Sequence, residues 1–500
     1  MIEYIPAETL AQNAKTEYQF LQSKMEQGPL SLKDRMAILQ QEMPVQEPKK
    51  RASLMSEVAI GYTAEQAILE ANRCLQCKTA PCISGCPVNV PIPQFVAEVA
   101  KGEFKNAVDI IKTTNLLPAI CGRVCPQEKQ CQGQCTVGKT YKNAEKAVSI
   151  GRLERFVADY ERENNLQTVP QVAEPTGKKV AIIGSGPAGL TVAADVRRAG
   201  HEVTVFEAFH KPGGVMVYGI PEFRLPKSIV ASEVEMLKKM GVEFRTNFLV
   251  GRTGTLPQLL QEQGFDAAFI GTGAGLPKFM NIEGENLIGV FSANEYLTRA
   301  NLMKAYDKEH ADTPLYDAKH VVVVGGGNVA MDAARMAYRL GAEHVSVIYR
   351  RTRNEMPARR EEVAHAEEEG VEFRFLENPI KILGDENGCV RGVEALTYEL
   401  GEPDASGRRS PVAVEGSEHE VPCDAVIVAL GNGSNPLMEK TTPGLNADAK
   451  GHITVDENGQ TSFPAVWAGG DIVLGAATVI LAMGEGRKAA ASINEYLKNN

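Results

Sequence analysis

The chain has 500 residues, and its 53 Lys and Arg against 63 Asp and Glu give a formal net charge of −10 at pH 7. This acidic balance argues against nucleic acid as a main partner, because nucleic acids carry the same sign of charge. No apolar run approaches the ~20 residues of a membrane-spanning helix, and residues 1–6 lack the basic and apolar regions of a signal peptide. We therefore expect about three domains in a cytoplasmic protein with no membrane span.

The first 50 residues predict a polar extension. Residues 11–27 have the composition of a helix. Residues 44–51 predict an extended linker, because each of its two prolines biases the preceding residue away from the helical region. The linker ends in three basic residues, which are typical of a solvated stretch but could also dock an acidic partner: Lys49, Lys50 and Arg51.

Residues 55–165 predict a small all-helical domain. Its first helix begins at Thr63, where a Thr followed three residues later by Gln66 matches the capping-box pattern. Apolar residues at helical spacing predict two further helices, over residues 93–111 and about 147–163.

This helical stretch contains eight cysteines in two groups of four, Cys74-x2-Cys-x4-Cys-x3-Cys and Cys121-x3-Cys-x5-Cys-x3-Cys. Two groups of four thiolates suit two [4Fe–4S] clusters, each of which needs four ligands. Zinc is the alternative, but zinc sites favour paired Cys-x2-Cys units and the second group has none. Counting alone would make all eight cysteines ligands.

A dinucleotide-binding unit is predicted after the cysteines. An apolar strand at residues 179–183 leads into Gly-Ser-Gly-Pro-Ala-Gly and a helix, and a second strand at residues 201–207 ends in an acid. Strand, glycine motif, helix and terminal acid together form the full fingerprint, in which the glycines admit a pyrophosphate and the acid binds ribose hydroxyls. The predicted contacts are Gly184, Gly186, Pro187, Ala188, Gly189 and Glu207.

A second unit follows the same pattern with a different ending. Residues 321–324 lead into Gly-Gly-Gly-Asn-Val-Ala and a helix, and the next strand, residues 345–349, ends in two arginines. Arginine at this place suits the 2′-phosphate of NADP, whereas an acid suits FAD; a solvated basic strand end is the alternative. The predicted contacts are Gly325, Gly327, Asn328, Val329, Ala330, Arg350 and Arg351.

The end of the chain predicts a return to the first unit. Residues 463–471 form a strand that ends in Gly-Gly-Asp, and residues 478–497 form a helix. This pattern suits a second contact to the flavin, so the NADP unit is predicted to be inserted between two pieces of the FAD unit. We assign no catalytic residue, with Glu222 and Arg224 as candidates near the flavin. The further predicted FAD contacts are Gly214, Arg224, Gly273, Gly470, Asp471 and Thr478.

Taken together, these motifs resemble a known family over about residues 40–500. They are similar to the small (beta) subunit of glutamate synthase, to the large subunit of the electron-bifurcating NADH-dependent ferredoxin:NADP oxidoreductase, and to the N-terminal half of dihydropyrimidine dehydrogenase. The resemblance lies in the cysteine pattern, the Gly-Ser-Gly-Pro-Ala-Gly motif, Tyr-Gly-Ile-Pro-Glu-Phe-Arg-Leu-Pro (218–226), Gly-Gly-Gly-Asn-Val-Ala-Met-Asp (325–332), Tyr-Arg-Arg (349–351) and Ala-Gly-Gly-Asp (468–471).

The resemblance implies clusters that interleave across the two cysteine groups. One set, which we call the outer set, is Cys74, Cys77, Cys82 and Cys135. The other, the inner set, is Cys86, Cys125, Cys131 and a non-cysteine ligand at Glu154. Cys121 is then a neighbour of the inner set and not a ligand.

The resemblance also implies the fold class and the domain order. An N-terminal all-α iron–sulfur domain precedes an α/β part with two Rossmann-like, glutathione-reductase-like domains, the NADP domain being inserted in the FAD domain. The expected boundaries are residues 1–50 for the extension, 51–172 for the helical domain with two [4Fe–4S] clusters, 173–290 and 441–500 for the FAD domain, and 291–440 for the NADP(H) domain.

The function that follows is an NADPH-linked FAD and iron–sulfur oxidoreductase subunit. Its partner is expected to be a small ferredoxin-reductase-like flavoprotein, which links it to ferredoxin indirectly, or else a large glutamate synthase subunit. A flavin disulfide reductase is not expected, because no cysteine lies between Cys135 and Cys389. A non-enzymatic metal-binding scaffold is the remaining alternative.

Overall fold

The computed structural model describes residues 4–403 and 407–500. The expectation that no signal peptide is present is based on residues 1–6, of which residues 1–3 lie outside the described part. Within the described ranges, no helix is both long enough and apolar enough to cross a membrane.

Ten α-helices precede the first strand in the described residues. The Thr63 hydroxyl accepts a hydrogen bond from the Gln66 amide, and the Gln66 side chain accepts one from Thr63, so the predicted capping box is present. The single helix predicted over residues 93–111 is wrong, because Gly102 adopts a φ of 82° and ends one helix before the next begins. The bounds are α1 Ala7–Glu26, α2 Leu32–Ala37, α3 Pro48–Arg51, α4 Ala64–Asn72, α5 Pro81–Ser84, α6 Ile92–Lys101, α7 Phe104–Lys112, α8 Pro118–Val124, α9 Thr136–Thr140 and α10 Ile150–Glu163.

The predicted linker at residues 44–51 ends in a helical turn and not in an extended strand. The Glu47 carboxylate accepts hydrogen bonds from the backbone amides of Lys49 and Lys50, which caps α3. Lys49 and Lys50 are exposed as predicted. Arg51 is fully buried at 0% exposure, so its assignment to a solvated run is wrong.

The first sheet is parallel and has the strand order β16-β4-β1-β2-β3. Its central strand β1 is buried on both faces, as the continuous apolar run predicts. Strand β16 comes from the C-terminal part and pairs with β4. The elements before the insertion are β1 Lys179–Ile183, α11 Pro187–Arg198, β2 Glu202–Phe206, α12 Val215–Tyr218, α13 Lys227–Lys239, β3 Glu243–Arg245, α14 Leu256–Gln261, β4 Ala267–Ile270 and β5 Leu276–Pro277.

The second sheet is also parallel, with the order β6-β14-β7-β8-β9. A four-stranded antiparallel sheet, β10 to β13, leads from β9 back to β14 and has no counterpart among the sequence predictions. The elements are β6 Val290–Ser292, α15 Ala293–Asn301, β7 His320–Val324, α16 Asn328–Arg339, β8 His344–Tyr349, α17 Arg360–Glu368, β9 Glu372–Phe375, β10 Glu377–Gly384, β11 Val390–Pro403, β12 Arg409–Ala413, β13 His419–Pro422, β14 Ala425–Val428, β15 Asn432–Gly433 and α18 Leu437–Thr441.

The chain then returns to the first sheet, as predicted. Strand β16 (Val466–Ala468) is followed by the short helix α19 (Asp471–Leu474) and the long helix α20 (Val479–Asn499). Helix α20 packs along α11 and also touches α8 of the helical region. The fold class is therefore confirmed, with the second parallel sheet inserted between two strands of the first.

A buried ion network joins the N-terminal linker to the second sheet. The Glu369 carboxylate, at the end of α17, contacts Arg335 at 2.8 Å and Arg339 at 2.7 Å, both from α16, and Arg51 at 2.9 Å. The side chains of all four residues are fully buried. Burial alone would raise the pKa of Glu369, but Arg335 and Arg339 outweigh it and hold this pKa below its usual range.

We expect Arg51→Ala to loosen α17. The variant removes one of the cations around a buried carboxylate, a change that typically costs about 3–5 kcal/mol. Native-state hydrogen exchange should therefore show faster exchange for the amides of residues 360–369. Lys50→Ala, which changes an exposed neighbour on the same short helix, is the matched control and should stay within ~0.5 kcal/mol. Equal exchange in both variants would contradict the role given to Arg51.

Candidate functional site

The first glycine motif forms a crevice at the end of β1. Gly184 has a φ of 99°, and a Cβ atom there would lie 2.5 Å from the carbonyl oxygen of Gly271. A Cβ on Gly189 would collide with the carbonyl oxygen of Gly184. Gly186 has no heavy atom within 4 Å of its Cβ position, so there is open space beside the N-terminus of α11. The crevice therefore fits the pyrophosphate of a dinucleotide.

Glu207 lies at the mouth of this crevice and is 5% exposed. Its carboxylate accepts hydrogen bonds from the amide of Ser185 at 3.0 Å and of Phe209 at 2.8 Å. The Ser185 hydroxyl also donates to Glu207 and accepts from the amide of Gly213 at 2.8 Å. Ser185 was not among the predicted site residues, although its position inside the glycine motif was a signal for it.

The C-terminal piece closes the same crevice. A Cβ on Gly470 would lie 3.1 Å from the Cβ of Ala188, and one on Gly214 would lie 2.8 Å from the Cα of Gly186. Gly273 has open space at its Cβ position. The structure thus brings these predicted FAD contacts to one end of the first sheet.

Two further polar groups face this region. The Asp471 carboxylate accepts a hydrogen bond from the amide of Ala477 at 3.2 Å, and burial raises the pKa of Asp471 to about 6. The Thr478 hydroxyl caps α20 by accepting from the amide of Leu481. Burial, with the charges of Asp471 and Glu207, raises the pKa of Tyr218 to about 12, which places this tyrosine near both acids. Tyr218 was not predicted as a site residue.

The second glycine motif forms a similar crevice at the end of β7. A Cβ on Gly325 would lie 2.5 Å from the carbonyl oxygen of Ala429, whereas Gly327 has open space. Asn328 begins α16, and its side-chain oxygen accepts a hydrogen bond from the amide of Arg359 at 2.8 Å. Val329, in the first turn, is 40% exposed. The crevice again presents a helix N-terminus to open space, as nucleotide binding requires.

The two arginines after β8 differ in placement. The Arg350 side chain is exposed. Arg351 is only 6% exposed, and its Nε donates to the carbonyl oxygen of Arg409 on β12 at 2.8 Å. Arg350 is therefore the one of the pair that extends into solvent beside the crevice.

Arg224, a predicted flavin contact, forms ion pairs with the second sheet's helices. Its guanidinium contacts both carboxylate oxygens of Asp332 at 2.7 Å and one of Glu362 at 3.0 Å. This placement favours a role in joining the two nucleotide crevices. Glu222, the other candidate, caps the amide of Lys227 at 3.1 Å. Burial lowers the pKa of the Lys227 ammonium to about 8.

The outer cysteine set lines a small cavity in the helical region. Cys74, Cys77, Cys82 and Cys135 all contribute to its wall, and Cys86 does not. Cys77 Sγ lies 3.2 Å from the hydroxyl of Thr136, at the start of α9. The four thiols therefore meet across the two cysteine groups, in the pattern that the resemblance implies and that contiguous counting does not give.

The inner set gathers around Glu154 on α10. Burial, then the charges of Glu154, Cys86 and Cys125, raises the pKa of Cys131, so these groups are neighbours. Burial raises the pKa of Glu154 to about 8, against a hydrogen bond of 2.6 Å from the Asn115 side chain that lowers it. The four groups fit the donor set of an iron–sulfur cluster.

Cys121 adjoins the inner set from the side of the first sheet. Its side chain is 1% exposed, and its Sγ lies 3.6 Å from Asn115 Oδ1 and 3.6 Å from the sulfur of Met483 on α20. The thiol hydrogen-bonds Cys125 as well. Cys121 thus links the inner set to α20 by packing.

Across residues 4–403 and 407–500, no three His, Cys, Asp or Glu side chains lie close enough together to hold one metal ion.

The two sets follow one another outward from the first crevice. Two contacts join the inner set to α20. Gln130, the neighbour of Cys131, has its side-chain nitrogen 3.5 Å from the hydroxyl of Thr478 at the start of α20. A Cβ on Gly484 of α20 would lie 3.1 Å from the carbonyl oxygen of Pro87, which follows Cys86. The outer set is bordered by the exposed residues Gln76, Lys78 and Thr79. The inner set therefore lies between the start of α20 and the outer set.

A cleft of about 900 Å³ lies elsewhere, between the helical region and α17. Its walls carry arginines that are already paired, such as Arg123 with Asp159 at 2.7 Å and Arg359 with Glu361 at 2.8 Å. It contains neither glycine motif and neither cysteine set. We therefore do not assign the chemistry to it.

Comparison with known proteins gives two family matches. Residues 51–166 match dihydropyrimidine dehydrogenase domain II, described as a 4Fe-4S cluster domain, and residues 178–486 match pyridine nucleotide-disulphide oxidoreductase. A solved structure of Mycobacterium tuberculosis FprA in complex with NADPH shares the fold, with a TM-score of 0.54 and 21% identity over 65% of this chain and 85% of that chain.

Similar curated proteins include two small chains of glutamate synthase [NADPH]. The Escherichia coli protein is 39% identical over 92% of this chain and 98% of its own length, and the Azospirillum brasilense protein is 38% identical over 92% and 95%. The beta subunit of the NADP(+)-dependent formate dehydrogenase of Moorella thermoacetica is 40% identical over 84% of this chain and 60% of its own length.

The family matches confirm the predicted recognition, and with it FAD, NADP(H) and [4Fe–4S] clusters as the cofactors. The crevices and the cysteine sets on this chain fit those groups. The protein is an NADPH-dependent flavin and iron–sulfur oxidoreductase subunit. By end-to-end similarity, the chain belongs to the family of glutamate synthase small chains.

Proposed function

We propose that this protein conducts electrons between NADP(H) at the second crevice and a partner protein that docks beside the outer cysteine set. The observation that carries the proposal is the order of the sites: first crevice, inner set, outer set, surface. Oxidation of one NADPH to NADP⁺ releases two electrons and one proton, so two one-electron acceptors are reduced for each NADPH. Flavin and iron–sulfur cofactors supply the change from two-electron to one-electron chemistry.

The residues of the chain then bind and position the cofactors. We assign FAD to the first crevice, where Glu207 suits the ribose and the start of α11 suits the pyrophosphate. Asp471 and Thr478 complete its far wall. The domain boundaries predicted from the sequence, 173–290 with 441–500 for FAD and 291–440 for NADP(H), are part of this proposal, and so is the helical domain at 51–172.

The remaining assignments concern NADP(H) and the clusters. The start of α16 suits the pyrophosphate of NADP(H), and exposed Arg350 suits its 2′-phosphate. The outer set and the inner set each hold one [4Fe–4S] cluster, with Glu154 as the fourth ligand of the inner one.

Two partners are candidates. The end-to-end match to glutamate synthase small chains supports a large glutamate synthase subunit. The resemblance of the sequence to bifurcating ferredoxin:NADP oxidoreductases supports a small ferredoxin-reductase-like flavoprotein instead. The family matches, which describe iron–sulfur and pyridine-nucleotide domains, cover residues 51–166 and 178–486, so we assign any further chemistry to a second subunit.

We expect protein purified anaerobically at native expression level to carry flavin and about eight irons, the content of two [4Fe–4S] clusters. NADPH should bleach its flavin absorbance under anaerobic conditions, and the subunit that co-purifies should be a redox protein. A colourless, zinc-containing protein that does not react with NADPH would contradict the proposal. The mass of the co-purifying subunit distinguishes the two partner candidates.

The ligand set of the inner cluster is tested by two matched variants. Glu154→Ala should change the EPR signal and the potential of one cluster, because it removes a ligand. Cys121→Ala should leave the iron content and both EPR signals in place, because its thiol packs against Met483. The opposite pattern, cluster loss in the Cys121 variant alone, contradicts the assignment.

Arg350→Ala should raise the KM for NADPH roughly 10- to 100-fold, as expected when a charge-assisted hydrogen bond of about 1.5–3 kcal/mol is lost. The KM for NADH should stay the same, because NADH has no 2′-phosphate. Steady-state kinetics with ferricyanide as acceptor measures both. The control is Arg360→Ala, which removes an exposed arginine paired with Glu145 at 2.6 Å. Equal effects on both nucleotides would assign Arg350 to another role.

A further inference from the structure

The surface beside the outer cysteine set differs in charge from the rest of the chain. The net charge is −10 overall, but residues 74–97 contain one basic residue and no acid. Residues 129–144 contain three basic residues and no acid. These two stretches supply the four thiols of the outer set, so the exit end of the proposed electron route is basic in an acidic protein.

The basic side chains are carried on the two segments that meet at the outer set. Lys78 follows Cys77 directly, and Lys139 lies on α9, which begins directly after Cys135. The contact between Cys77 Sγ and the Thr136 hydroxyl, at 3.2 Å, brings the two segments together. Lys142 follows α9, and Lys78, Lys139 and Lys142 are all exposed.

These lysines are available to an outside partner. Lys139 Nζ donates to the side-chain oxygen of Gln134 at 2.9 Å, a neutral group. Elsewhere on the surface, lysines pair with acids on their own helix, as Lys101 does with Glu98 at 2.6 Å and Lys238 with Glu235 at 2.6 Å. Within the part of the chain that the structure describes, no acidic side chain forms an ion pair with Lys78, Lys139 or Lys142, so the charge of this surface is not neutralised by its own segments.

The ammonium groups of these lysines are not needed to stabilise the cysteine thiols of the outer set. Arg35 already supplies a cation there, since its Nη1 donates to the carbonyl oxygens of Asn72 at 3.1 Å and Cys74 at 3.2 Å. Exposed ammonium groups act weakly on inner groups because water and salt screen them. Outward-facing charges of one sign act instead on approaching molecules, whose encounter rate they raise.

We propose that Lys78, Lys139 and Lys142, together with the exposed ring of Tyr141, form the docking surface for an acidic redox protein. The inference rests on the proposed function and specifies its partner. Tyr141 is 42% exposed, its hydroxyl donates to the carbonyl oxygen of Met36 at 2.8 Å, and Lys146 Nζ lies 5.5 Å from the centroid of its ring, so the ring is held in place among basic side chains.

The test compares two acceptors of opposite charge. Reduced acceptor is measured at 20 and 200 mM salt, on the order of the range in which screening changes most, with an acidic ferredoxin or basic cytochrome c present. The balance is NADPH plus two oxidised acceptors to NADP⁺, one proton and two reduced acceptors. The variant is Lys78→Glu/Lys139→Glu/Lys142→Glu. The control, Lys308→Glu/Lys450→Glu/Lys498→Glu, makes the same change in net charge at exposed lysines elsewhere.

For the first variant we expect the second-order rate constant for ferredoxin to fall at least 10-fold at low salt and to lose its salt dependence, and the rate constant for cytochrome c to rise. The control variant should keep the wild-type values for both. Identical behaviour of the two variants overturns the docking surface. Wild-type protein that reduces neither acceptor overturns the proposed function instead.

A second readout does not depend on turnover. Carbodiimide joins lysines to carboxylates that touch them, so it should cross-link wild-type protein to ferredoxin at Lys78, Lys139 or Lys142, as read by peptide mass spectrometry. Loss of cross-linking in the first variant and its retention in the control support the proposal. Cross-links at other lysines of the wild type contradict it.

Discussion

One buried carboxylate, that of Glu369, fixes how the parts of this molecule meet. Its three arginine partners come from α16 and from the N-terminal linker, more than 280 residues earlier in the chain. A buried carboxylate is tolerable only with all its partners in place, so these segments have one acceptable arrangement. Arg224 extends the same network through Glu362 to the loop before α13. These ion pairs therefore fix the positions of the second sheet, the linker and the first crevice relative to one another.

The local patterns of the sequence predicted most of the fold. The glycine motifs, the apolar strands and the Thr63 capping box depend on neighbours within a few residues, so they can be read without a structure. The ion network could not be predicted, because Arg51 and Glu369 are far apart in sequence and nothing local marks Arg51 as buried. The antiparallel strands β10 to β13 were missed because their residues alternate less regularly between buried and exposed.

The site was predictable in part for the same reason. Both glycine crevices follow from local motifs, and adjacent Arg350 and Arg351 gave the same sequence signal although only Arg350 reaches solvent. The grouping of the thiols is a tertiary property: Cys135 joins Cys74, Cys77 and Cys82 because α9 packs back on the first group. Spacing alone gave contiguous groups, and the resemblance to a family was needed to predict the interleaved ones.

The position of β16 has a consequence for biosynthesis. The first sheet lacks this strand until the chain has been made as far as Ala468, and α20, which packs on α11 and reaches Cys121 through Met483, is made after it. The helical region is made before either sheet. The α20 side of the inner cysteine set can therefore be covered only after the second sheet and β16 have been made.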